Sequence, residues 1–248
     1  MPTFLITGSS RGIGLGLATK LLKDPKNTVL ATARNPAESQ GLQDLVSKYP
    51  KERVITLTLD VTSPEQISSA AKEAAKLCPD GLDYFIHNAG YWEHPFTPLE
   101  QLDIDAFQKA IAFHTTSAVH LLREFKPLVQ KSVEKKFIFM SSDAASLTLA
   151  PKLGGNLGIP YSVGKAAQNM LLRKWGIANQ EHGITVALIH PGFVDTEMIQ
   201  DILEDFRSRN IEPISVEESV NGVLKVVFEV QLKDTAKFWF YNGDMLPW

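Results

Sequence analysis

The chain has 248 residues, with 25 Lys+Arg against 28 Asp+Glu for a formal charge of −3, and hydrophobic and charged residues make up 44% and 21%. These proportions exclude a disordered chain and a coiled coil, and the near-neutral balance leaves no broad basic footprint for nucleic acid. The longest apolar runs fall far short of the ~20 residues that a membrane span needs, and the single cysteine, Cys78, excludes an intramolecular disulfide.

Taken in chain order, short β-branched or aromatic runs predict strands at Thr3–Thr7, Val29–Ala33, Val54–Leu59, Asp83–His87, Phe137–Ser141, Ile184–His190 and Lys237–Tyr241. Most are nearly continuous apolar runs, as expected of parallel strands covered on both faces. Between them lie helical patterns. Gly14, Leu17, Ala18 and Leu21 share one face, as do Val220, Val223, Leu224 and Val227. Ser63-Pro64-Glu65-Gln66 reads as an N-cap with a capping-box Gln, and Ser215-Val216-Glu217-Glu218 repeats the box. The runs Asp103–Lys131 and Tyr161–His182 read as long helices. Strand–helix alternation implies right-handed βαβ units and one open parallel sheet of about seven strands with helices on both faces. No linker or charge block divides the chain, so residues 1–248 read as a single domain. One cysteine, and an N-terminus MPTFLITGSS without a basic stretch followed by a long apolar one, lead to the expectation of a cytoplasmic protein.

The first predicted strand runs into Thr7-Gly8-Ser9-Ser10-Arg11-Gly12-Ile13-Gly14 and then a helix. Glycines at such a turn let the backbone approach a pyrophosphate, and the helix N-terminus offers N–H groups to its charge. This TGSSRGIG spacing resembles the glycine motif of the short-chain dehydrogenase/reductase family. Four further stretches resemble that family's motifs in the same order: Asp60-Val61, Asn88-Ala89-Gly90, Tyr161-x-x-x-Lys165 and Pro191-Gly192-Phe193-Val194-Asp195-Thr196. The resemblance covers essentially the whole chain. It implies a Rossmann-type doubly wound α/β fold and an oxidoreductase using NADP(H).

By that resemblance Gly8, Ser10, Arg11, Gly12, Ile13 and Gly14 hold the pyrophosphate, Asp60 and Val61 the adenine, and Asn88, Ala89 and Gly90 the ribose. Pro191, Gly192, Val194 and Thr196 border the nicotinamide. The strand expected to present an acid to the ribose 2′-OH ends instead in Ala33-Arg34. Arg34 offers a planar fork to a 2′-phosphate, with Arg11 approaching from the other side, so NADPH is the expected cofactor.

Tyr161 and Lys165 stand at i and i+4 on one helical face. An ammonium there lowers a phenol's pKa from near 10, making it a general acid for a carbonyl oxygen that receives hydride. The resemblance implies that Lys165 also bonds the nicotinamide ribose and that a serine holds the substrate oxygen; Ser141 and Ser142 both fit, with Ser142 favoured by alignment. The residues before Tyr161, LTLAPKLGGNLGIP, read as a loop bordering the pocket. Where the family has an asparagine that binds a relay water, this chain has His114. It either holds that water through a ring nitrogen, with a pH dependence set by imidazole titration near neutrality, or is a packed helix side chain. His87, His94, His114, His120, His182 and His190 are scattered without metal-ligand spacing, so no metal is expected.

Met198, Ile199, Ile202, Leu203 and Phe206 follow Thr196, where related enzymes carry a lid, and residues 195–213 are its expected extent. Together with Tyr91 and Trp92 they suggest a small lipophilic ketone or aldehyde as substrate; the same apolar residues also suit a helix packed onto the core. Neither a nucleic acid nor a membrane is an expected partner, and the family commonly forms homodimers or homotetramers. A non-catalytic NADP-binding regulator and a non-redox isomerase or cyclase are the alternatives on the same scaffold.

Overall fold

The computed structural model describes residues 1–92 and 96–248; His94 lies outside the described residues. The strands are β1 Thr3–Thr7, β2 Thr28–Ala33, β3 Val54–Thr58, β4 Tyr84–His87, β5 Lys136–Met140, β6 Thr185–His190 and β7 Lys237–Phe240. All pair in parallel in the order β3-β2-β1-β4-β5-β6-β7. Their bounds agree with the sequence expectation to about one residue. The chain winds outward from β1 to β3, then crosses back and winds outward again from β4. The carboxyl ends of β1 and β4 therefore flank the point where the winding reverses, the place at which such sheets bind ligands.

The helices are α1 Gly12–Leu21, α2 Gln40–Lys48, α3 Pro64–Leu77, α4 Ile104–His114, α5 Thr116–Lys131, α6 Ala150–Leu153, α7 Ile159–Asn179, α8 Leu203–Ser208 and α9 Val216–Glu229. Successive strand residues point to opposite sheet faces. Phe4, Ile6, Val29 and Ala31 thus pack under α1, α2 and α9, while Leu5, Leu30, Phe85 and Phe137 pack under α3, α5 and α7. Burial on both faces is why these strands carry unbroken apolar runs. No helix of the described residues is long and apolar enough to cross a membrane.

Two local expectations need correction. The caps form, but the boxes do not close. Ser63 Oγ accepts from the Gln66 N–H at 3.2 Å and Ser215 Oγ from the Glu218 N–H at 3.1 Å. The Gln66 side chain instead accepts from the Asp60 N–H at 2.8 Å, and Glu218 accepts from the Tyr241 hydroxyl at 3.0 Å. Each third-position side chain finds another partner, Gln66 in the preceding loop and Glu218 on the remote Tyr241, that competes with the cap. The expected single helix over Asp103–Lys131 breaks at Thr115, whose hydroxyl donates back to the Ile111 carbonyl at 2.7 Å, while Ser117 bonds the Phe113 carbonyl. Hydroxyls that take up helix carbonyls in this way bend or interrupt a helix. His114 consequently ends α4 rather than lying inside a longer helix.

Candidate active site

The candidate residues collect beyond the carboxyl ends of β1, β2, β4, β5 and β6. At β1, Gly8 and Gly12 have φ of 69° and 54°, left-handed values that favour glycine. A Cβ on Gly14 would lie 2.2 Å from the Gly8 carbonyl oxygen and 2.6 Å from Asn88 Nδ2. The turn is stitched to β4. Thr7 Oγ1 accepts from the Asn88 and Ala89 N–H groups at 3.1 and 3.0 Å, and the Asn88 amide donates to the Thr7 and Gly8 carbonyls at 3.1 and 3.0 Å. It is stitched to β2 through the Ser9 N–H, 2.8 Å from the Thr32 carbonyl. Ser10 accepts from Ser39 Oγ through its carbonyl, and Ile13 packs against the core. α1 begins with no side-chain cap and no acid in its first turn, whereas α3, α4 and α9 have both. Its first N–H groups are open to an anion. A cradle that a single Cβ would fill, facing an uncapped helix start, fits a pyrophosphate.

At the end of β2, Arg34 follows Ala33 and is exposed, and no described residue binds its guanidinium. Arg11 instead forms an exposed ion pair with Glu197 of the segment after β6. Asp60 accepts from the N–H and hydroxyl of Thr62 at 2.8 and 2.7 Å, and Val61 is buried beside it. After β6, Gly192 has a φ of 91°, and the Pro191 carbonyl accepts from Ser219 Oγ at 2.6 Å. Val194 bridges to Ile214 in parallel, so the residues between them form an excursion pinned at both ends. Thr196 faces the glycine turn, its methyl 3.4 Å from where a Gly12 Cβ would stand. Within the excursion Ile202 and Phe206 turn to the core, Phe206 stacking on Phe193 at 4.5 Å. Met198 instead lies against Gly90, 3.0 Å from a Cβ built there. The apolar residues thus divide between packing and cleft.

Tyr161 lies in the first turn of α7, which starts after Gly158 with a φ of 54°. Of the two serines, Ser142 lies near enough to the phenol to favour its charged form. Ser141 is buried and donates to Asn169 Oδ1 at 2.7 Å, so the fold brings Ser142 and not Ser141 to Tyr161. Lys165 is buried on the next turn, its Nζ donating to the Met140 carbonyl at 2.6 Å and to Gln168 Oε1 at 3.2 Å. That ammonium is 5.9 Å from the Tyr161 ring centroid.

The protonation states reverse the sequence expectation. Tyr161 is pushed up to about 12: burial dominates, the nearby Ser142 hydroxyl opposes it and the Asp143 carboxylate adds to it. Burial pulls Lys165 down to about 7. The amine is turned toward the Met140 carbonyl and is itself desolvated, so it does not acidify the phenol in this state. Tyr161 is therefore a neutral phenol at neutral pH, the form that donates a proton. His114 is also corrected: burial, then the Lys165 charge, pulls it down to about 2, so its imidazole stays neutral and gives no titration near neutrality. His87 behaves alike, down to about 3 from the same causes.

Two rings meet Tyr161 edge-on, Trp92 at 4.7 Å and His114 at 5.3 Å between centroids. Each depends on a glycine. A Cβ on Gly158 would stand 2.6 Å from the Trp92 ring, and one on Gly164 would stand 2.8 Å from His114 Cδ2. His114 Nε2 lies 3.2 Å from the Tyr91 carbonyl. The segment before Tyr161, expected as loop, contains the turn of helix α6 and delivers Gly158 to Trp92. Beside Tyr161 opens a cavity of about 90 Å³ lined by Tyr91, Leu102, Phe107, Ala110 and Pro160.

Sequence reasoning missed Thr7, Gly164, Asp143 and His190 as site residues. Thr7, His87 and His190 share one signal, the last position of a strand at the carboxyl edge. Asp143 sits next to Ser142 in the chain, but nothing local announces that His190 Nε2 lies 3.5 Å from its Oδ1.

The sequence profile of a family described as short chain dehydrogenase matches residues 2–207. An uncharacterized oxidoreductase of Schizosaccharomyces pombe is 30% identical over 252 residues, covering 98% of this chain and 97% of its own. Among solved structures, an NADPH-bound carbonyl reductase from chicken fatty liver superposes with a TM-score of 0.87 at 30% identity, covering 100% of this chain and 98% of its own. A carbonyl reductase from Pseudomonas aeruginosa PAO1 in complex with NADP gives a TM-score of 0.82 at 31% identity, with 100% of both chains covered.

Proposed function

Because the chain belongs to the short-chain dehydrogenase family, we propose that it reduces a lipophilic ketone or aldehyde with NADPH, and that Tyr161 donates the proton. One observation carries the reading: a neutral phenol, near the Ser142 hydroxyl and one helical turn from Lys165, stands beyond the carboxyl ends of the strands, as does a glycine cradle open to phosphate. When bound, the reduced nicotinamide supplies the hydride to the carbonyl carbon.

In this reading the α1 N-terminus and the Gly8–Gly14 turn hold the pyrophosphate, Arg34 and Arg11 the 2′-phosphate, Asp60 and Val61 the adenine. Asn88 holds the turn closed so that Ala89 and Gly90 border the nucleotide. Pro191, Gly192, Val194 and Thr196 border its far end. Ser142 orients the substrate oxygen and Tyr161 gives that oxygen its proton. Lys165, its pKa pulled down by burial, bonds the ribose. His114, neutral, buttresses the Tyr161 ring. Trp92, Met198 and the cavity beside Tyr161 offer apolar walls to the substrate.

The reading is tested by following NADPH absorbance with aryl ketones, diketones and aldehydes. NADPH is expected to exceed NADH by tenfold or more in kcat/KM, about 1.4 kcal/mol or more, and Arg34→Ala to remove most of that ratio. Equal efficiency with both cofactors removes Arg34 from its role. Binding without turnover on the whole panel favours a regulator, and product without NADPH consumption an isomerase or cyclase.

Self-association through α7 is part of the proposal. Val163, Met170 and Ile177, spaced by sevens along that helix, are 44%, 58% and 58% exposed, an apolar stripe suited to a second copy in a homodimer or homotetramer. Sedimentation at micromolar protein is expected to give at least a dimer mass; a monomer mass overturns it.

A further inference from the structure

Beyond the serine, tyrosine and lysine, an acid–imidazole pair stands one hydroxyl away from the phenol. Ser142 Oγ donates to Asp143 Oδ1 at 3.2 Å and accepts from the Ala144 N–H at 3.2 Å. The same Asp143 oxygen lies 3.5 Å from Nε2 of His190, the last residue of β6. His190 is buried and stacked on Phe240 at 5.3 Å. Tyr161, Ser142, Asp143 and His190 thus form one row, from the phenol to an acid whose side chain is 35% exposed.

We propose that Asp143, acting through Ser142, is a positioning residue that sets the pH range of the reaction, keeping Tyr161 in its proton-donating form to higher pH. The inference rests on Tyr161 being the proton donor.

Reduction starts from the neutral phenol, whose proton passes to the carbonyl oxygen as the carbon receives hydride. Oxidation starts from the phenolate, which takes the alcohol proton while hydride leaves the alcohol carbon for NADP⁺. A carboxylate one hydroxyl from the phenol disfavours the phenolate and leaves the neutral form untouched. It therefore extends reduction to higher pH and defers oxidation. The other titratable groups around the pair do not cancel it. Lys165 on α7 is turned to the Met140 carbonyl, His114 at the end of α4 and His87 at the end of β4 are neutral, and His190 is itself pulled down by burial. His190 then serves to hold the carboxylate in place rather than to neutralise it. Partial exposure of Asp143 screens its charge and limits the effect.

The test compares wild type, Asp143→Asn, Asp143→Glu and Asp143→Ser, each first shown to bind NADPH. The pH dependence of kcat/KM is measured in both directions, with an aryl ketone plus NADPH and the matching secondary alcohol plus NADP⁺. In Asp143→Asn the falling limb of reduction and the rising limb of oxidation are both expected to move down together by about one pH unit, the ratio of the two efficiencies at each pH staying fixed by the equilibrium constant. Asp143→Glu is expected to restore the wild-type limbs, and Asp143→Ser, a second neutral side chain of different shape, to move them as Asn does. Limbs that overlay the wild type, or a uniform fall at every pH without displacement, overturn the inference while leaving the proposed function standing. A wild-type chain inactive in both directions overturns the proposed function and this inference with it.

Discussion

Tyr161→Phe is expected to lower kcat for ketone reduction by about 10²–10⁴-fold, the usual contribution of a positioned general acid, and to leave NADPH affinity within about twofold of the wild type, since removing a group used only in the transition state leaves ground-state binding intact. The substitution removes one oxygen and keeps the ring. The edge-on contacts with Trp92 and His114 therefore persist, and Ser142 retains Asp143 and the Ala144 N–H as partners. A stability change is not expected to account for the loss. Single-turnover reduction by the preformed NADPH complex is the measurement that separates chemistry from binding. Retention of more than about a tenth of wild-type turnover, below the range set by general acid catalysis, shows that the proton comes from elsewhere.

Gly14→Ala is expected to act earlier, on the cofactor cradle. The added Cβ stands 2.2 Å from the Gly8 carbonyl oxygen and 2.6 Å from the Asn88 amide. Neither is the free end of a flexible side chain: Gly8 belongs to the turn, and Asn88 is held by the Thr7 and Gly8 carbonyls. The backbone has to shift, at a typical overpacking cost of about 1–3 kcal/mol. The expected fall in Tm is roughly 2–12 °C for a chain of this size. NADPH affinity is expected to drop by at least about tenfold, because the N–H groups that face the pyrophosphate move with the turn. Thermal unfolding with and without NADPH reads both effects. A Tm and a ligand-induced shift equal to those of the wild type would show that the turn is not the cradle.

These two positions differ in how plainly the chain announces them. Gly14 is visible in the spacing TGSSRGIG because the requirement is local: a turn between a strand and a helix has to be narrow wherever it is placed. Tyr161 and Lys165 are visible as neighbours because a helix puts i and i+4 on one face. Their protonation is not visible. The i,i+4 rule predicts an ammonium that acidifies the phenol, whereas the folded chain desolvates both groups and turns the amine to the Met140 carbonyl. His114 follows the same logic. Its titration near neutrality is a property of water, and the fold removes the water.

By itself the sequence determined the strands, the sheet type, the glycine turn and the residues that converge on it. These follow from short-range rules: strands covered on both faces read as continuous apolar runs, turns read as glycine, and helix starts read as capping hydroxyls. Only the tertiary structure decided the break at Thr115 that ends α4 on His114, the choice of Ser142 over Ser141, the glycines under Trp92 and His114, and the meeting of Asp143 with His190. The physical reason is common to all four. Each depends on which groups remote in the chain come within contact distance and lose their water, and neither proximity nor desolvation is written in local spacing.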